Sequence, residues 1–349
     1  MTRIYVLLLT LLSIPAMLAQ DDFQRLFHDS PRPSREDLRI DLRDEAGNAT
    51  QLPISILKGS QDGPVFTLVA GVHGFEYPPI IATQQLLNEI DLEELKGTLI
   101  VLPIANTASF FTRTLFFNPQ DQKNLNRIFP GEAEVTVTQQ IAHYITEQVI
   151  PVSEVFLDIH GGDACEDLMP FVCYYRHEKR PKQTALAKRL AETSGFECVV
   201  SYAYTLADDE PAKYAFKQAV QDGKTGLSIE CGKLGNVQAE AVNLIKEGVY
   251  NMLTELKMYP GERSPARELM QINQQAYLAA REKGIFYSSY QAGDSVELGE
   301  VIGHITDEFG QLLREYQAPQ SGIILYKVGT PPVNVDDTLM CIGWDSDEE

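Results

Sequence analysis

Short apolar runs that each end in a polar, chemically capable residue constrain this chain most. Val65–Ala70 reads VFTLVA and leads into Gly71-Val72-His73-Gly74-Phe75-Glu76. Val155–Ile159 reads VFLDI and leads into His160-Gly161-Gly162-Asp163, and Gly226–Ile229 leads into Glu230. Thr98–Ile104 is a further run of this kind. Such near-continuous runs suit strands buried on both faces. Between them lie segments with helical spacing: Ile80–Ile90, Val137–Ile150, Thr184–Ser194 with Gly195 just past its end, and Ala239–Leu256. Strands alternating with helices predict an α/β fold, a three-layer sandwich around a mixed, largely parallel sheet. In open α/β sheets ligands bind beyond the carboxyl ends of the strands. His73, Glu76, His160 and Glu230 all fall there.

The texture changes after Lys257. MYPGERSPAR is rich in turn-formers and reads as a linker. Beyond it, short strands are expected at Gly284–Tyr290, Val301–Thr306, Gly322–Lys327 and Thr338–Ile342, punctuated by glycines, which predicts a small C-terminal all-β domain. At the other end, Met1–Ala19 carries one early arginine, an apolar stretch from Ile4 to Leu18 and a small residue before a polar segment. This is the pattern of a secretory signal peptide, too short to span a bilayer comfortably. The expected organisation is therefore a leader at 1–19, a catalytic domain at 20–257, and a linker with the β domain at 258–349. The mature chain is expected to be periplasmic or secreted, without a membrane span.

Charge narrows the partners. The net charge is −20, which argues against a nucleic-acid backbone as ligand, because phosphate binding needs a basic surface. A few local arginines can still hold a small acidic substrate. Five cysteines, with no C-x-x-C, make no disulfide framework and read as buried thiols. Among the other histidines, His177 sits in YYRHEKR, read as a solvated stretch.

Two histidines and a carboxylate at strand ends supply the N, N and O donors of a metal site with one open position. Asp158 or Asp163 would orient an imidazole from behind. A glutamate at the end of an apolar strand is costly to bury without a task, and beside a metal Glu230 can act as general base. Asn124-Leu125-Asn126-Arg127-Ile128-Phe129-Pro130-Gly131 is a turn-rich loop in which Arg127 can hold a carboxylate by paired hydrogen bonds and Asn126 can add an amide donor.

The order H-x-x-E, L-N-R-x-F-P-G, D-I-H-G-G and I-E-C-G resembles the succinylglutamate desuccinylase/aspartoacylase family, a branch of the zinc-carboxypeptidase-like superfamily. The resemblance spans nearly the whole mature chain, including G-D-S-V-E-L-G-E-V-I-G in the β region. It implies His73, Glu76 and His160 as ligands of Zn2+, Glu230 as general base and later proton donor, and Asn126 and Arg127 as carboxylate binders. Arg113 is the nearest counterpart of the family's oxyanion-stabilising arginine. The implied activity is hydrolysis of an amide bond in an N-acyl amino acid or similar small carboxylate-bearing molecule. The same residues would serve a peptide carboxypeptidase or an esterase. A silent binding protein is the reading from another class, and the full set of ligands together with Glu230 argues against it.

Overall fold

The computed structural model describes residues 14–262 and 268–346. Most of the expected leader lies outside the described residues, as does part of the expected linker. Helix α1 (Ile14–Asp29) opens the described chain, and Phe23 near its middle is fully buried, edge-on to Tyr144 at 6.3 Å. No helix among the described residues is long and apolar enough to cross a membrane.

The apolar runs form the strands expected of them. In chain order the strands are β1 (Ser34–Arg43), β2 (Ala49–Lys58), β3 (Gln61–Ala70), β4 (Lys96–Leu102), β5 (Val155–His160), β6 (Glu166–Leu168), β7 (Phe171–Arg176), β8 (Cys198–Ala203), β9 (Thr225–Glu230) and β10 (Met270–Ile272). All but β6 build one nine-stranded sheet in the order β1-β2-β4-β3-β5-β9-β7-β8-β10. Strands β4, β3, β5 and β9 run parallel to one another, whereas β7 is antiparallel to β9. Helices α2 (Tyr77–Glu89), α5 (Pro181–Thr193) and α7 (Ala239–Glu255) bury their apolar stripes on one face. On the other face lie α1, α4 (Val137–Tyr144) and α6 (Ala215–Gln221). The result is the three-layer sandwich with a mixed, largely parallel sheet. The segment expected as one helix over 137–150 is α-helical to Tyr144 and widens to a π turn at Ile145–Val149, where Ile150 N donates to Ile145 O at 2.9 Å. The wider turn keeps Tyr144, Ile145, Val149 and Ile150 all buried.

Two antiparallel sheets follow, built from strands that include Gly284–Tyr287, Val301–Thr306, Gly322–Val328 and Thr338–Trp344. They have a core of their own around Phe286, Ile305, Tyr316 and Ile342. The C-terminal region is tied back twice. Met270–Ile272, inside the stretch read as linker and its margin, pairs in parallel with β8. Strand β6, six residues beyond His160, pairs antiparallel with Gly322–Val328. All five cysteines are free, and four of them are buried.

His177 departs from expectation. It is only 8% exposed and stacks on Tyr204 with centroids 4.2 Å apart and planes at 9°. The charged neighbours in YYRHEKR suggested solvent, but β7 carries the backbone inward just before it.

Candidate active site

Strand register brings the separated motifs together. In β5 and β9, Asp158 pairs with Ser228 and His160 with Glu230. Residues two apart share a face of a sheet, so Asp158 and His160 project together on one strand, and Ser228 and Glu230 beside them on the next. Strand β3 flanks β5 on the other side and delivers His73 and Glu76 in the loop that follows it.

That loop is shaped by close approach. A Cβ at Gly74 would lie 2.5 Å from the Ser109 and Thr114 carbonyl oxygens, so only glycine lets the turn pack there. Glu76 occupies the N-cap of α2, yet its side chain caps nothing. A cap oxygen normally accepts from the amide two or three residues on. Here those residues are Pro78 and Pro79, which have no amide proton. The carboxylate is thereby released to face the histidines.

Its two oxygens are divided between two rings. His73 Nδ1 lies 2.6 Å from Glu76 Oε1, and His160 Nδ1 lies 3.0 Å from Oε2. All three residues are buried, and one donor atom from each falls within 4.8 Å of the others. The far nitrogens are already engaged. Asn124 Oδ1 accepts from Asn126 N at 2.9 Å, which fixes it as the oxygen, and it stands 3.1 Å from His73 Nε2. His73 Nε2 is therefore the protonated nitrogen. On His160, Nε2 lies 3.2 Å from Asp158 Oδ1, an ion-pair distance without full hydrogen-bond alignment. Of the two aspartates proposed to orient an imidazole, Asp158 has this position. Asp163 instead accepts from Cys165 N at 2.7 Å.

With both Nε2 atoms carrying protons, both Nδ1 lone pairs point at a carboxylate. Lone pairs and carboxylate oxygens at 2.6–3.0 Å repel unless a proton or a cation lies between them. The donor set of two imidazoles and one carboxylate thus fits a divalent metal, and without one it traps protons. Burial disfavours charge on Glu76, but His160 and His73 outweigh it and hold its pKa down at about 2. Burial likewise disfavours a charged His160, and Asp158 and Glu76 outweigh it, raising that pKa well above its ordinary value.

Glu230 stands at the end of β9, partly buried. Burial raises its carboxyl pKa to about 8; His160 opposes this, while Glu76 and Asp158 add to it. Asn126 is half-buried, and its Oδ1 is buried without a hydrogen-bond partner. Arg127 is exposed, donates to Asn126 O at 2.6 Å, and lies 5.0 Å from the centre of the Tyr214 ring. A backbone bridge between Phe129 and Lys213 holds this loop against the start of α6. Arg113 is exposed at the left-handed C-cap of α3 (Thr107–Thr112), and among the described residues no hydrogen bond or ion pair joins it to the triad.

Two neighbours escaped the sequence reading. Asn124 sets the His73 tautomer; its Asx turn onto Asn126 was the available signal. Phe116 packs edge-on to His73 at 5.6 Å and shields one side of the site. A cavity of about 810 Å³ lies elsewhere, between the β1–β2 hairpin and helices α2 and α3, and contains none of the triad. Its lining brings no such convergence of donor atoms.

Residues 62–256 match the Succinylglutamate desuccinylase/Aspartoacylase catalytic domain. The chain belongs to this family. The N-alpha-acetyl-L-2,4-diaminobutyric acid deacetylase of Halomonas elongata is 29% identical over 312 residues, 87% of this chain and 89% of that one. The crystal structure of a succinylglutamate desuccinylase/aspartoacylase from Rhodobacter sphaeroides matches with a TM-score of 0.80 at 25% identity, covering 91% of this chain and 98% of that one. The product-bound ectoine utilization protein EutE (DoeB) of Ruegeria pomeroyi shares the fold, with a TM-score of 0.81 at 23% identity over 90% of this chain and 97% of that one. Family membership makes the chain a hydrolase of the deacylase kind.

A proton on His160 competes with any metal. Below the raised His160 pKa, uptake of a divalent cation should release about one proton, and apparent affinity should rise roughly tenfold per pH unit. Calorimetric titration with zinc at pH 6 to 8, in buffers of different ionisation enthalpy, reads both quantities. Affinity independent of pH, with no proton released, would contradict the proposed donor set.

Proposed function

We propose that this chain is a zinc-dependent deacylase that hydrolyses the amide bond of an N-acyl amino acid bearing a free carboxylate. The observation that carries the reading is the convergence of the His73 and His160 Nδ1 atoms on the two Glu76 oxygens, with Glu230 paired beside His160 on the next strand. The Halomonas relative, by name a deacetylase of an N-acyl amino acid, supports it.

His73, Glu76 and His160 would hold the ion. Zinc bound there supplies Lewis acidity to the scissile carbonyl and to the attacking water. Glu230 takes a proton from that water on its carboxylate and returns it to the leaving nitrogen. A carboxyl whose burial favours the protonated form can make that return near neutral pH, and nearby positive charge brings the carboxylate form within reach. Asn124 and Asp158 keep both imidazoles in the tautomer that presents Nδ1. Arg127, steadied on the Tyr214 ring, receives the substrate carboxylate, and Asn126 donates its amide to the same group. Arg113 is assigned to the oxyanion on the resemblance alone.

Kinetics of two variants test these roles. Glu230→Gln should retain zinc and lose at least a hundredfold in kcat. Arg127→Ala should raise KM at least tenfold for carboxylate-bearing substrates and far less for their amides. Wild-type turnover in the first variant, or equal effects on both substrate types in the second, would remove the assigned role.

We further propose that the protein works outside the cytoplasm after removal of Met1–Ala19, on the strength of that segment's charge and apolar pattern. N-terminal sequencing of the protein recovered from a producing cell's exported fraction should begin at Gln20. Recovery of the uncleaved chain from the cytoplasm would contradict export.

A further inference from the structure

The large apolar side chains left exposed between β1 and α7 gather on the side of the sheet that carries the triad. Among the described residues they are Phe111, Phe117, Val135, Leu234 and Val237. All lie in the two segments that leave the carboxyl ends of β4 and β9, one running to α4 and the other to α7. Strand β4 is parallel to β3, and β9 to β5, so these segments emerge where His73, Glu76 and His160 meet. Scattered exposed apolar residues are ordinary, but a set confined to one rim marks a binding surface.

Ring contacts join this rim to the triad. His73 meets Phe116 edge-on with centroids 5.6 Å apart, and Phe116 meets Phe117 edge-on at 6.4 Å. His73 is buried and Phe117 is 50% exposed, so the path runs from the triad to solvent. Backbone contacts hold it in place. Gly74 N donates to Leu115 O at 3.3 Å, and Phe117 bridges to Asn124, whose Oδ1 touches His73 Nε2. A second path starts at Phe75, next to Glu76. Its ring lies 5.5 Å from Tyr77, Tyr77 lies 6.0 Å from Phe110, and Phe110 lies 5.1 Å from Phe111. Phe75 also packs on the segment after β9, where a Cβ at Gly235 would fall 2.7 Å from its Cδ1. The apolar rim is therefore continuous with the triad and with both segments around it.

We propose that Phe116 and Phe117 form a wall for the acyl group, so that the preferred N-acyl amino acid carries an apolar acyl chain longer than acetyl. The proposal rests on the deacylase reading of the same triad and specifies the acyl part of its substrate. In that reading the amino-acid carboxylate goes to Arg127, beside Tyr214. The acyl chain leaves the scissile carbonyl on its other bond and needs a different wall. The rings on His73 supply an apolar one in contact with the triad. Phenyl rings offer no hydrogen bond, so a charged acyl group would shed water there without gaining a partner. Each methylene laid against them adds favourable apolar burial.

Binding and turnover test it separately. The probes are acetohydroxamate and octanohydroxamate, zinc-binding groups that differ only in chain length, titrated calorimetrically into the zinc-loaded full chain. Hydrolysis of N-acetyl-L-alanine and N-octanoyl-L-alanine is measured alongside. Octanohydroxamate should bind roughly tenfold or more tightly than acetohydroxamate. Phe116→Ala and Phe117→Ala should each lower that preference about threefold or more, with zinc content at the wild-type level. Phe117 is half-exposed, so its variant keeps the test decisive if Phe116→Ala fails to fold. Equal binding of the two hydroxamates, binding of neither, or a preference unchanged in every variant that folds would overturn the wall. An unchanged preference together with loss of binding to neutral phosphatidylcholine vesicles in Phe117→Ala would assign the rim to a membrane surface and overturn it likewise. If the preference holds and falls in the variants but neither acylalanine is hydrolysed, the wall stands and the deacylase reading falls. If both are hydrolysed equally well and the hydroxamates bind equally, the deacylase reading stands and the wall falls.

Discussion

The carboxylate of Glu76, shared between two imidazole nitrogens, is the contact on which the rest of the site depends. It is buried, and an unpaired buried charge costs about 3–5 kcal/mol. The fold must therefore bring positive charge to it, as protons on the histidines or as a metal. Everything near it serves that end. Pro78 and Pro79 free the carboxylate from capping. Gly74 lets the loop close on α3. Asn124 and Asp158 hold the far sides of the rings.

The sheet order does the long-range work. His73 and Glu76 follow β3, His160 ends β5 and Glu230 ends β9, and those three strands are adjacent and parallel. Parallel neighbours end on the same side, so residues 84 and 70 positions apart in sequence meet at one edge. The two antiparallel C-terminal sheets are not remote from this edge. Through β6 they brace the segment carrying Asp163 and Glu166.

That the triad and Glu230 come together was legible because each ends or closely follows an apolar run, where a polar residue needs a reason to be. The parallel core strands were legible for the same reason: burial on both faces writes itself as unbroken apolar sequence. The β1–β2 hairpin was not. SREDLRIDLR alternates charge with apolar side chains, and its burial alternates likewise along most of its length. Asn124 was quoted within its motif but given no role, because its contact with His73 spans 51 positions and exists only once the loop folds over the sheet. His177 was misread because composition reports a residue's neighbours in sequence, whereas its ring meets Tyr204 across the β7–β8 pair. Glu166 lies in a short strand whose partner is some 160 residues downstream, a pairing that local pattern does not encode.

The central claim is that His73, Glu76 and His160 form one metal centre. Its most direct measurement is elemental analysis of the purified chain after zinc loading and removal of loose metal, beside Glu76→Gln. The account predicts one zinc per chain in the wild type, and little or none in the variant even though its side-chain volume is kept. A chain that holds no zinc, or a variant that holds as much as the wild type, would contradict it.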